Sequence, residues 1–363
     1  MTVGLLLDDT LDRSDGVQQA VLAIGDKLTQ RGHDVHYIVT ETIRTDIPNI
    51  HSLGGFYSLQ FNGNSVRTPK PVTKAVVDEL FNQVKFDVIH VQMPYSPLFA
   101  AKVLKHAPDS VKKVGTFHIL PYNFLAAQGT RLLGILMRQS IQELSVSFAV
   151  SKPAKEFMDR AFKTDGIILP NPVDYTFFNS YKKEKTKKIQ LVFVGRFEER
   201  KGVSQLIEAY AALPKKMKDQ TKLTMISKGP MHDLMKQKAS KLGLKVNFPG
   251  FVTEAEKAQA LANADVAVFP SISGESFGIV LTEAMAAGAG ITIGGNNPGY
   301  ASVLQDWPEV LFDPNNIDEF SELLKKCITD DAFRHKIGSK QHMAVKQYDI
   351  EKVVDVLEGT YKD

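Results

Sequence analysis

The stretch Ser271-Ile-Ser-Gly-Glu-Ser-Phe-Gly-Ile-Val-Leu-Thr-Glu-Ala-Met-Ala-Ala-Gly288 holds two acids, Glu275 and Glu283, with seven residues between them. An apolar run, Val266-Ala-Val-Phe-Pro270, feeds this Gly/Ser loop, and a helical pattern follows from about Phe277 to Ala287. Gly274 and Gly278 carry no Cβ, so a ligand can approach the backbone closely there. The first N–H groups of the helix lack intrahelical partners and sit at the positive end of its dipole, which makes an anion seat. Two acids beside such a seat would repel a ligand that is only phosphate. They suit a sugar nucleotide, whose diphosphate takes N–H donors and cations while its hydroxyls take carboxylate acceptors. Either acid alone reads better as an ordinary surface or helix-face glutamate; the cations elsewhere in the chain favour the sharper reading of the whole constellation.

Those cations lie in Gly195-Arg-Phe-Glu-Glu-Arg-Lys-Gly202, where Arg196 and Lys201 are the fixed charges that a leaving diphosphate needs when no metal neutralises it. Arg200 either shares that work or is simply solvated. Gly115-Thr-Phe-His118 ends a strand pattern. A lone histidine is more often structural, but a place at a strand's carboxyl end favours a ligand contact for His118. The first loop has a single glycine, Gly16, where a dinucleotide-binding fingerprint has three, which argues against a nicotinamide or flavin enzyme. Ser227-Lys-Gly-Pro-Met231 is a further strand-to-helix turn, read weakly as lying near a nucleotide base.

Positioning these residues requires alternating strands and helices. Strand patterns fall at 3–7, 35–39, 88–92, 114–118, 146–150 and 167–169, then at 189–194, 223–226, 246–248, 266–269, 291–293 and 310–312. Helical patterns lie between them, the signature of βαβ units and parallel sheets. Pro170-Asn-Pro-Val-Asp174 and the lysine-heavy stretch 181–188, read as a solvated linker, interrupt the series. At 363 residues the chain suits two domains, 1–172 and 173–363, each doubly wound. Two such domains put a cleft between them at the carboxyl ends of both sheets. A formal charge of +3, with 43% apolar and 23% charged residues, gives no support to nucleic-acid binding. The single cysteine, Cys327, excludes an intrachain disulfide and a cysteine metal site, which fits a reducing cytoplasm. The first residues, Met-Thr-Val-Gly-Leu-Leu-Leu-Asp-Asp, read as a strand and not as a signal peptide.

Taken together, these motifs resemble glycosyltransferase family 4, the retaining enzymes of the GT-B fold, and within it the phosphatidylinositol mannosyltransferases and related glycolipid glycosyltransferases. The likeness is most specific in residues 274–288 and clear in Gly195-Arg…Lys201-Gly202; Asp15-Gly-Val-Gln18, Gly115-Thr-Phe-His118 and Pro170-Asn171…Val173-Asp174 support it. It implies two Rossmann-like domains, an acceptor side first and a donor side second, with the terminal helix packing back on the first. It implies that Glu275 binds hydroxyls of the transferred hexose. Backbone N–H groups near Phe277, Gly278 and Ile279 would hold the diphosphate, and Glu283 the nucleotide ribose. Arg196 and Lys201 would stabilise the departing nucleoside diphosphate, Gly16 would approach the phosphates, and His118 would contact the sugar ring. The co-substrate is a GDP- or UDP-linked sugar, with no separate cofactor and no metal.

Departures from the family pattern are Asn171-Pro172 for its usual Asn-Gly pair and Ala289-Gly290 where a proline usually follows Gly288. No carboxylate is evidently placed under the anomeric carbon, so the reading is front-face substitution assisted by leaving-group electrostatics. The acceptor is less legible. Arg131–Leu144 has a core stripe, with Leu132 and Ile135 off it beside Arg131 and Arg138, and Pro121-Tyr-Asn-Phe-Leu125 lies just upstream. This points as much to a helix packed within its domain as to an enzyme resting on the inner face of a membrane and glycosylating a lipid or a cell-envelope glycan. A sugar-nucleotide epimerase and a non-catalytic sugar-nucleotide binder are the alternatives.

Overall fold

The computed structural model describes every residue except 14, 62, 63, 95, 121–133 and 136, with backbone alone at 58–61 and 64–67. The chain divides into two compact units, Met1–Pro172 with Ile350–Asp363, and Val173–Asp349.

In the first unit, strands β1 (Thr2–Leu7), β2 (Asp34–Val39), β3 (Ile50–Ser52), β4 (Phe56–Phe61), β5 (Asn64–Pro69), β6 (Val88–Gln92), β7 (Lys112–Phe117), β8 (Val146–Ala149) and β9 (Ile167–Ile168) follow one another. Seven form a sheet in the order β3-β2-β1-β6-β7-β8-β9, with every paired neighbour parallel. Alternate residues of β1 serve two cores, as a strand's two-residue period requires. Val3, Leu5 and Leu7 pack with helix Gly16–Gln30 and the C-terminal helix Ile350–Lys362; Leu6 packs with helices Lys74–Gln83 and Ala100–His106. The C-terminal helix is also fastened by charge: Arg31 meets Glu351, Asp355 and Glu358, and Lys27 meets Glu351. β4 and β5 stand apart as an antiparallel pair. Apolar patterning gives no sign of them, although Asn62-Gly63 between two strand-like runs is a hairpin signal. Of the predicted 131–144 helix, Arg138–Gln142 is described as helix; residues 121–125 and Leu132 lie outside the described residues.

The second unit holds β10 (Ile189–Val194), β11 (Thr221–Ile226), β12 (Val246–Gly250), β13 (Val266–Phe269), β14 (Thr292–Gly295) and β15 (Leu311–Phe312), in the order β12-β11-β10-β13-β14-β15, all parallel. Chain order reverses between β10 and β13, whose carboxyl ends deliver the 195–202 and 271–278 loops side by side. Such switch points are where open α/β sheets bind ligands. Among the described residues, no helix is long and apolar enough to cross a membrane.

Candidate active site

The two loops are joined before any ligand is considered. Gly202 has φ +68°, and a Cβ on it would lie 2.0 Å from the Pro270 carbonyl oxygen, so only glycine lets the cation loop press against the end of β13. Ile272 N–H donates to the Arg200 carbonyl at 2.8 Å, and the Ser271 hydroxyl oxygen lies 3.1 Å from the same oxygen. A short 3-10 turn, Glu199–Lys201, then aims Lys201 and Arg200 at Glu275.

Glu275 is the centre of the arrangement. Its Oε1 accepts from Lys201 Nζ at 2.6 Å, from the Arg200 guanidinium at 3.2 Å and from the Ser271 hydroxyl at 2.6 Å. Oε2 accepts none of these bonds. Burial would raise the Glu275 carboxyl, but the Lys201 and Arg200 charges outweigh it and hold it below the usual carboxylate range. The side chain is 11% exposed, so it is a screened yet reachable anion. Arg200 is therefore part of the cluster and not merely solvated. Glu198 extends the cluster outward, taking Arg196 on Oε1 at 2.8 Å and Arg200 on Oε2 at 3.1 Å.

Helix Ile279–Ala286 starts two residues later than the sequence pattern suggested, because Gly278 takes φ +117° and caps it. A Cβ there would meet the Tyr300 ring at 2.6 Å. Phe277 is buried and sets its ring edge-on to Tyr348, which leaves its backbone as the part available for binding. Among the described residues, the N–H groups of Phe277, Gly278 and Ile279 have no intrachain acceptor. Glu283 lies one turn into the helix, buried, with Oε1 on Lys257 Nζ at 2.8 Å. Burial lifts its carboxyl, and Lys257 draws it back only in part. Lys257 also meets Glu254 at 2.7 Å.

The structure thus brings Arg196, Lys201, Glu275, Phe277, Gly278, Ile279 and Glu283 together in the second unit. Gly16 and His118 belong to the first. Gly16 is the first residue of the Gly16–Gln30 helix. His118 follows β7, buried, with Nε2 on Gln92 Oε1 at 2.7 Å, and burial lowers its imidazole to about 4. It is therefore neutral near pH 7. Sequence reasoning gave no role to Ser271, Glu198 or Lys257. Alternation of Arg196, Glu198 and Arg200 was a visible clue to a charge ladder; Lys257 reaches Glu283 from another helix and leaves no local trace.

The sequence model of the family described as Glycosyl transferases group 1 matches residues 176–342, and that of Glycosyltransferase Family 4 matches residues 14–177. A phosphatidyl-myo-inositol mannosyltransferase of Mycobacterium tuberculosis is 29% identical over 373 residues, covering 100% of this chain and 97% of the relative. An N-acetyl-alpha-D-glucosaminyl L-malate synthase of Bacillus anthracis is 25% identical over 375 residues, covering 94% and 92%. Among solved structures, Anabaena Alr3699/HepE in complex with UDP and glucose matches with TM-score 0.77 at 17% identity over 100% of both chains. WaaG, a glycosyltransferase involved in lipopolysaccharide biosynthesis, matches with TM-score 0.70 at 20% identity over 98% and 99%. These structural likenesses carry the fold, which is the expected GT-B architecture of two parallel α/β sheets.

Proposed function

This chain belongs to glycosyltransferase family 4, and from that premise we propose that it takes a nucleotide-sugar donor and transfers a hexose, with retention, to a hydroxyl of a membrane lipid or cell-envelope glycan. The observation that carries the reading is the Glu275 carboxylate. Three donors saturate Oε1 and hold the group ionised, while Oε2 keeps its lone pairs for a hydroxyl of the hexose. In this reading the N–H groups of Phe277, Gly278 and Ile279 take the diphosphate, Glu283 takes the ribose, Gly16 approaches the phosphates and His118 contacts the sugar ring. Arg196 and Lys201 receive the charge that develops on the leaving group.

The anomeric C–O bond breaks with its electron pair passing to the diphosphate oxygen. That oxygen takes the proton of the acceptor hydroxyl as the new C–O bond forms on the same face. Fixed cations that need no reorganisation are the appropriate catalysts for such a step, since charge appears on one atom at a known place. A mannosyl donor is favoured over a glucosyl one by the name of the mycobacterial relatives, which also favours a lipid acceptor. Ile135, 72% exposed, and the exposed Arg138 lie at the edge of the apolar stretch read as membrane-facing.

The test is nucleoside diphosphate release from a panel of GDP- and UDP-sugars, with and without lipid extract. Release that needs lipid supports the reading; release that is indifferent to lipid moves the acceptor to a soluble compound. Calorimetry that detects no binding of any activated sugar, together with an unchanged Glu275→Lys variant, would end it.

A further inference from the structure

Two buried histidines stand on neighbouring strands of the first sheet: His90 on β6, opposite Val114 of β7, and His118, the residue after β7 ends, beyond the Gln92–Thr116 pair. They are not equivalent. His90 has both ring nitrogens satisfied, Nδ1 by the Tyr361 hydroxyl and Nε2 by the Thr116 hydroxyl, each at 2.7 Å. It is a structural histidine. His118, nearer the carboxyl edge, spends Nε2 on Gln92 Oε1, and its buried Nδ1 has no protein partner among the described residues. The amide Nε2 of Gln92, on a residue 1% exposed, is likewise buried without a partner among them. Each orphan is two covalent bonds from the Oε1–Nε2 contact.

An amide oxygen can only accept, so the contact fixes the proton on His118 Nε2 and leaves a lone pair on Nδ1. The Gln92 amide nitrogen can only donate. One acceptor and one donor, both buried, cost free energy unless ligand groups pair with them. Sugar hydroxyls, each a donor and an acceptor at once, match the pair.

We propose that Gln92 is a positioning residue that locks His118 as the Nε2–H tautomer and, through its own amide N–H, completes a donor–acceptor pair for hydroxyls of the transferred hexose. The proposal rests on the reading of His118 as a sugar contact. It makes His118 a neutral hydrogen-bond acceptor, not a proton donor in the reaction. The titratable neighbour that bears on the ring is His90 on β6.

Long-range 1H–15N spectra of protein labelled at histidine, assigned with His118→Gln, test this on the wild type without any change at Gln92. The expected result is a His118 ring protonated at Nε2 alone at pH 7.5. A ring protonated at Nδ1 overturns the proposal, since it means the amide is turned the other way. Gln92→Leu is expected to lose that tautomer preference and to cut kcat/KM for the nucleotide sugar at least tenfold. Gln92→Glu keeps an acceptor for Nε2–H and so keeps the tautomer, but it loses the N–H donor and recovers activity only in part. An unchanged His118 ring in Gln92→Leu also overturns the proposal. GDP-mannose or UDP-glucose is expected to move the Nδ1 resonance where GDP or UDP does not. If the tautomer is as stated and no nucleotide sugar moves Nδ1, the positioning role of Gln92 stands and the sugar-contact reading of His118 falls.

Discussion

Lys201 and Arg196 differ in what their loss should do, although both are cations on one loop. Lys201 is 17% exposed and holds Glu275 ionised at 2.6 Å; Arg196 is 42% exposed and is tied to Glu198. We expect Lys201→Ala to cut kcat by more than tenfold, with about 2–4 kcal/mol of transition-state stabilisation removed. It should also lower the melting temperature, because a buried carboxylate loses its nearest partner. Arg196→Ala should cut kcat by more than tenfold and leave the melting temperature within about 2 °C, as exposed pairs contribute little to folding. Wild-type turnover in both purified variants refutes the leaving-group role. Glu198→Gln should reduce kcat several-fold without changing the chemistry, since it loosens Arg196 and Arg200 together. Charges of this kind were legible in the sequence as residue types at strand ends. Their pairings were not: Arg200 reaches Glu275, and Lys257 reaches Glu283, across separations that only the folded sheet closes.

At the scale of elements, the site depends on two backbone positions that no side chain can occupy without moving something. Gly278→Ala would force φ +117° on a residue with a Cβ and drive that Cβ into Tyr300. Its expected effect is a raised KM for the nucleotide sugar and a lower melting temperature, with the far-UV spectrum largely kept. An unaltered KM by steady-state kinetics sinks the claim that the first turn of this helix seats the diphosphate. Gly202→Ala should be worse, since the obstacle is the Pro270 backbone and not a ring that can tilt. Parallel strands and their carboxyl-edge loops were readable because buried strands are short apolar runs with glycines at their ends. The β4–β5 pair was missed because its runs, Phe-Tyr-Ser-Leu-Gln-Phe and Asn-Ser-Val-Arg-Thr-Pro, lack the continuous apolar signal that marked the others.

For the molecule as a whole, the buried titratable groups of the first unit predict an acid limb of stability with a definite composition. Burial lowers His118 to about 4 and His90 to about 3, so between those values and the usual 6.5 the unfolded chain binds protons that the folded one refuses. Stability from this pair is present above pH 6.5 and is lost as pH falls through 4. Asp8 opposes it. Burial, helped by the adjacent Asp9 charge and resisted by the Ser96 hydroxyl, raises Asp8 to about 7, so the folded chain keeps a proton that the unfolded one has released. Its contribution is present below about 4 and fades as pH rises to 7. Between pH 4.5 and 6 two groups favour folding as pH rises and one disfavours it. Removing the opponent with Asp8→Asn should therefore steepen the rise in unfolding free energy by about 1.4 kcal/mol per pH unit. Urea titrations at four pH values across that window measure the slope, and parallel lines for wild type and Asp8→Asn would show that Asp8 is not held protonated. The same variant bears on metal use. Asp8 and Asp9 are adjacent acids at the carboxyl end of β1, where a divalent cation would be sought first. Because the leaving charge is assigned to Arg196 and Lys201, activity is expected to persist in a chelator in both proteins. Strict restoration by Mg²⁺ or Mn²⁺ in wild type, lost in Asp8→Asn, would transfer that work from the cations to a metal held by this pair.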